Sequence, residues 1–287
     1  METKRGVGLR LMAYATVVAS VLAGTAVAIV RGQGQIPVIN ADDGLFYSRG
    51  QNVVPVFEGW VPNPDGTFSL VFGSFNRNWE EEMFIPVGPN NHIDPGGPDR
   101  GQPTAFAPRR GKNLFEIIVP KDFGDKEVVW TIVSRGKTEK AYGTLTKPEV
   151  LTRRMVEAGG ALSENAAAGN DNVGDQHDPN KAPAVKTEAA STALLSAPAV
   201  ISATVTDDGL PAAGGRGRRA GLHVEWSLFR GPGHVSFEPR TSPVSSPTGG
   251  KVTTNAKFTV AGDYVLRASA IDGGGLGTNS DVKVSVK

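Results

Sequence analysis

Apolar residues in this chain recur at every second position, and that period confines most of it to β-structure. Thr67–Phe75 shows it plainly: Phe68, Leu70 and Phe72 fall on one face, Ser69, Val71 and Gly73 on the other. The turn-forming run Asn63-Pro64-Asp65-Gly66 precedes it, and Val53–Val61 precedes the turn. This order predicts a β-hairpin. Pro55 inside the first strand assigns it to a sheet edge, because proline cannot donate to a ladder. Further strands are predicted at Phe84–Val87, Leu114–Val119, Val128–Ser134 and Ala141–Thr146, with Trp130 as a core anchor. Residues 34–150 therefore read as a first β-sandwich domain.

The same period returns over residues 199–287. Val200–Thr206, Leu222–Leu228, the strand begun by Val235 and Phe237, Val252–Val260, Tyr264–Asp272 and the Val282–Val286 segment alternate between turns. Trp226 occupies the mid-core position of an immunoglobulin-like third strand. Tyr264, following Gly262-Asp263, fits a tyrosine corner, in which the hydroxyl ties a loop to the backbone. Between the two regions, Leu151–Ala158 has the makings of a short helix. The following text is nearly free of aromatic and β-branched residues. Such a composition cannot offset the entropy of ordering by burial, so 151–198 reads as a disordered linker and the two domains as tethered, not docked. The expected class is all-β: two immunoglobulin-like β-sandwich domains on a flexible linker, behind an N-terminal hydrophobic export helix.

That helix is predicted from Leu11–Val30, an uncharged apolar run that follows Lys4, Arg5 and Arg10. Residues 1–33 read in two ways. Leu11–Leu22 is an h-region with Ala26-Val27-Ala28 as the cleavage site, or the whole run is an uncleaved membrane anchor. Either places the remainder outside the cytoplasm: periplasmic, on the cell surface or secreted, with membrane contact only through residues 11–30.

Composition limits what such a protein does there. Cysteine is absent, which excludes disulfide staples, thiol nucleophiles and Cys-ligated zinc. A formal net charge of +1 gives no field that would gather nucleic acid. The G-x-S-x-G, H-E-x-x-H and P-loop signatures are missing, and the expectation is a protein that is not an enzyme.

The most unusual text is Asn76–Glu82 followed by Pro86–Arg110, rich in Gly, Pro, Asn and Asp. A loop of this length suggests function. Glu80, Glu82, Asp94 and Asp99 are candidate oxygen ligands for calcium, although no EF-hand spacing is present. The plainer alternative pairs Arg77, Arg109 and Arg110 with the glutamates as a solvated polar ladder. Trp79 reads as a loop or core anchor, and His92 as a solvated loop histidine. His177 lies in the linker, which cannot fix a coordination geometry. The basic loop Arg216, Arg218 and Arg219 is read as solvated, with contact to an anionic glycan or lipid as the alternative.

Two resemblances add to this. NRNWEEEMFIPVGPNN, GQPTAFAPRR and VPKDFGDKEVVWTIVSRGKTEKAYG, within residues 55–146, resemble an uncharacterised group of exported bacterial proteins. ATVTDDGLP, VEWSLFRGPGHVSFE and FTVAGDYVLRASAIDG resemble bacterial PKD-like, Ig-like surface modules across 199–287. The second resemblance implies an extracellular spacer or binding module. It also implies calcium near strand ends at Asp207, Asp208 and Asp272, where Gly273–Gly275 stands in place of a second acidic partner. No other cofactor is expected. The function expected is non-catalytic binding or scaffolding in the bacterial envelope or outside the cell, with another envelope or surface protein or a glycan as partner. The alternatives are a membrane-anchored envelope assembly component and a glycan-active enzyme using the acidic loop of the first domain.

Overall fold

A computed structural model describes residues 47–159, 179–210 and 221–287. The export segment, His177 and the Arg216–Arg219 loop lie outside the described residues. No described helix is long and apolar enough to cross a membrane.

The first sandwich is built from β1 (Val53–Pro62), β2 (Phe68–Asn76), β3 (Met83–Phe84), β4 (Asn91–Asp94), β5 (Ala105–Phe106), β6 (Arg109–Val119), β7 (Val128–Ser134) and β8 (Lys137–Gly143). One sheet has the order β1-β2-β6 and the other β4-β7-β8, with β3-β5 as a two-stranded ribbon. The β1–β2 hairpin closes as its sequence predicts. Asn63 N donates to Thr67 O at 2.9 Å, Gly66 adopts φ +85°, and Asp65 Oδ1 accepts from Thr67 N and Oγ1. Pro55 does lie on an edge strand.

Trp130 is fully buried at the centre of this core and donates from Nε1 to Asn91 Oδ1 at 2.9 Å. Phe115 and Phe72 meet it edge-on, and Phe106 stacks on it. Asn91 is itself wholly buried, its amide nitrogen donating to the Ile85 and Pro103 carbonyls. A single asparagine thereby pins the long loop to the core, since its buried polar atoms are all matched.

The strand β2 departs from simple alternation: Ser69, Val71 and Ser74 are buried along with Leu70 and Phe72. The expected outer face is covered by helix α1 (Arg153–Gly159), whose Val156 packs with Leu151 on Val61 and Val71. Leu151 N donates to Trp60 O at 2.7 Å and locks this return. Gly59 makes the close approach possible. It sits at a bulge with φ +136°, and a Cβ there would stand 2.3 Å from Glu149 O.

The second sandwich comprises β9 (Ala184–Ala189), β10 (Thr192–Ala193), β11 (Ala199–Thr206), β12 (His223–Arg230), β13 (Val235–Glu238), β14 (Thr241–Pro243), β15 (Gly249–Phe258), β16 (Gly262–Ile271) and β17 (Gly277–Val286). A sheet of order β10-β17-β16-β12-β14 faces one of order β13-β15-β11-β9. Trp226 is buried between them with Phe258 and Leu266, and its Nε1 donates to Ser242 Oγ at 3.0 Å. Tyr264 is buried against Phe258, and its hydroxyl donates to Val260 O at 2.6 Å, closing the corner.

The segment 151–198 differs from its expected form. The helix α1 and strands β9 and β10 occupy parts of it, and only residues 160–178 lie outside the described chain. The second sandwich therefore begins near Ala184. This edge strand escapes detection because only its inner face, through Val185 and Ala189, touches the core. An edge strand of Ala, Lys, Thr and Glu has the composition of a loop.

Candidate functional site

The long loop of the first sandwich is a docking plate for the second. Phe229, on β12, leaves its own sandwich and packs into the core built around Trp130, where it is 7% exposed. Its carbonyl accepts from Thr104 N at 3.2 Å, and Gly231 N donates to Thr104 Oγ1 at 3.1 Å. Arg230 donates from Nε to Gln102 O at 2.7 Å and clasps Asp99 with both terminal nitrogens, at 3.1 and 2.7 Å. That guanidinium holds the Asp99 carboxyl below its ordinary pKa. His234 Nδ1 lies 2.8 Å from Glu82 Oε2. Arg267, paired to Asp281, donates to Leu114 O at 2.6 Å, and its guanidinium lies 3.7 Å from the centre of the Phe229 ring. The expectation of two merely tethered domains is corrected by these contacts. A desolvated aromatic and several charge-assisted hydrogen bonds hold one half against the other.

Docking leaves an open cleft of about 710 Å³ between the sandwiches. One wall is Trp79, Glu80 and Glu82 with Phe106, Arg109, Arg110, Gly111 and Leu114; the other comes from β12, β13 and Arg240. The first wall is irregular for a reason. Between Phe72 and Ser74 the β2–β6 register slips, and β6 bulges through Gly111-Lys112-Asn113-Leu114. Arg109 at φ +70° and Asn113 at φ +47° both hold left-handed conformations that side chains other than glycine rarely adopt. The guanidinium of Arg109 lies 4.1 Å from the Trp79 ring centre and 4.8 Å from that of Phe75.

The sequence-predicted site residues distribute as follows. Glu82 and Asp99 serve the docking interface, Asp94 lies 3.4 Å from His92 on β4, and Glu80 lines the cleft. They do not converge on one point. His92 is half-buried on a strand, not a solvated loop residue. The expected pairing of arginines with the loop glutamates is also different: Arg110 Nη2 donates to both Glu58 carboxylate oxygens at 2.6 and 2.7 Å, and Arg135 takes Glu81. Trp79 is 42% exposed at the cleft, its backbone N–H donating to Tyr47 O at 2.9 Å and its ring facing the Arg109 guanidinium.

Asp207, Asp208 and Asp272 are neighbours at one end of the second sandwich. Burial, with the charges of Asp208 and Asp272, raises the pKa of Asp207, and burial raises that of Asp272. The chain engages most of their oxygens: Asp272 accepts from Leu276 N and from Asn180 Nδ2, Asp208 from Lys181 N and Leu210 N, and Asp207 Oδ2 from Gly209 N, while Asp207 Oδ1 is buried without a hydrogen-bond partner among the described residues. Among the described residues no group of three or more His, Asp or Glu side chains is disposed to hold a metal ion.

Phe229, Phe237, Arg240 and Arg267 went unmarked by sequence, for each is an ordinary member of a strand or turn. Only docking against a loop more than a hundred residues earlier turns them into a wall.

No protein-family model matches this chain, and no curated protein matches it. Among solved structures it is similar to the fibronectin(III)-like modules of Clostridium thermocellum CbhA, at 13% identity and a TM-score of 0.23, over 82% of this chain and 94% of that one. It is also similar to dimeric latent PorU from Porphyromonas gingivalis, at 11% identity and a TM-score of 0.25, over 82% of this chain and 24% of that one. At such TM-scores neither likeness carries an argument about this chain, and the all-β sandwich assignment stands on the strands described above.

Proposed function

We propose that this is an exported, non-catalytic binding or scaffolding protein of the bacterial envelope or extracellular space, and that its ligand occupies the cleft between the sandwiches. The observation that supports this reading most is the docking itself. Two sandwiches held by Phe229 and the Arg230–Asp99 clasp form a preorganised groove between modules, a common location for binding sites. Its wall mixes exposed aromatic surface with arginine and glutamate, a recognition surface in character. The basic and apolar N-terminus supports the location.

Two measurements test the proposal. Fractionation of cells carrying the full chain should place residues 34–287 outside the cytoplasm; cytoplasmic recovery of intact, Met1-bearing protein would overturn the location. Purified protein should co-sediment with isolated envelope material, and Arg240→Ser should weaken this. Absence of co-sedimentation, or indifference to that substitution, would remove the cleft from the function.

A further inference from the structure

We infer that the cleft binds an acidic glycan, through the guanidinium groups of Arg109 and Arg240 on its opposite walls. This rests on the reading of the cleft as the binding site and names the chemistry of its ligand. The cleft arginines divide into two kinds. Arg110 is neutralised by Glu58 and Arg267 by Asp281. Arg109 and Arg240 have no carboxylate partner among the described residues. Arg109 spends its guanidinium on two aromatic rings and a 3.3 Å bond to Arg77 O, and it does so from a strained backbone. Strain held at a cleft wall marks a side chain placed for use. Arg240 is exposed, on the side of the second sandwich.

Each guanidinium offers a planar fork that matches a carboxylate. A ligand that engages both walls therefore carries more than one anionic group along its length. The rest of the lining selects among such ligands. Glu80 repels a run of acidic side chains but accepts hydrogen bonds from sugar hydroxyls, and Ser227 and Ser236 offer hydroxyl donors and acceptors. Trp79, 42% exposed beside the Arg109 guanidinium that lies over its ring, adds apolar surface at the cleft rim. A polysaccharide of uronic acid units presents carboxylates and hydroxyls together; the side chains of an acidic peptide present only the first.

The test uses the full chain and polygalacturonate, with dextran as a neutral glycan and poly-L-glutamate as an acidic peptide, by isothermal titration calorimetry. Polygalacturonate should bind, weaken with added salt, and lose roughly tenfold or more in affinity with Arg240→Ser, as expected for a charge-assisted pair. Arg109→Gln should do the same and Arg109→Lys should recover part of the loss, with unchanged near-ultraviolet circular dichroism showing that the fold is intact. Should Arg109→Gln fail to fold, the exposed Arg240 carries the test alone. Absence of polygalacturonate binding, equal binding of dextran, or binding indifferent to Arg240→Ser would overturn the inference. Tighter binding of poly-L-glutamate would overturn it in favour of an acidic peptide. Envelope co-sedimentation that depends on Arg240 without polygalacturonate binding would sink this inference and leave the proposed function standing.

Discussion

Replacing Phe229 with alanine should uncouple the two sandwiches. The ring belongs to the second by chain and to the first by packing, and it is 7% exposed. A phenylalanine so buried removes about 150–250 Å² from water. At about 25 cal/mol per Å² of apolar area this is worth roughly 4–6 kcal/mol, close to the ~3–5 kcal/mol typical of Phe→Ala in a core. Loss of the cation–π contact with Arg267 adds about 1 kcal/mol. The Arg230–Asp99 clasp is half open to solvent on the aspartate side and contributes about 0–1 kcal/mol, so it cannot hold the interface alone. The wild-type protein should therefore unfold in one calorimetric transition. The Phe229→Ala variant should show two, with the first lowered by at least roughly 10 °C, since each kcal/mol shifts a docked unit of about 150–250 residues by about 2–4 °C and a single smaller sandwich by more. Two transitions already present in the wild type, or a variant with an unchanged single transition, would refute the docking argument.

In urea unfolding followed by fluorescence, Trp226→Ala should cost about 3–5 kcal/mol and Tyr264→Phe about 1–3 kcal/mol, because one opens a cavity and the other orphans the Val260 carbonyl; the reverse ranking would contradict the sandwich core. Gly59→Ala should destabilise the first sandwich by more than about 1 kcal/mol through its φ of +136° and the clash with Glu149 O, and a neutral result by thermal melting would mean the return segment is not seated there. The Glu225 carboxylate beside His223 raises the imidazole pKa, with the Gly221 carbonyl adding to it. A folded pKa above the unfolded one gives stability that is whole below about pH 6.5 and lost as pH rises through the folded value. Thermal melts should thus fall from pH 6 to pH 8, and His223→Gln should flatten that slope; a slope untouched by the substitution would dismiss the pairing.

Much of the scaffold was legible in order along the chain. Val128–Ser134 forms the strand its alternation predicts, the Asn-Pro-Asp-Gly turn closes its hairpin, and Trp130, Trp226 and Tyr264 sit buried where the pattern put them. These are local or nearly local facts: a period of two, a turn, a large aromatic among small residues. The short strands β4 and β5 were hidden in Gly- and Pro-rich text, and β9 in polar text. Pairing with distant partners makes them strands, which no local propensity reports.

The candidate site was less legible. The sequence marked Glu80–Glu82 and the Pro86–Arg110 loop as unusual, and both lie at the junction between the sandwiches, but it offered calcium ligation or a solvated ladder as the reason. The sequence by itself determined an all-β chain without disulfides, because hydrophobic period and cysteine count act residue by residue. The tertiary structure alone decided that Phe229 fills another domain's core, that Glu82 meets His234 across 152 positions, and that Arg109 and Arg240 face one cleft. Such contacts depend on surface complementarity between two finished sandwiches, and that complementarity has no period along the chain.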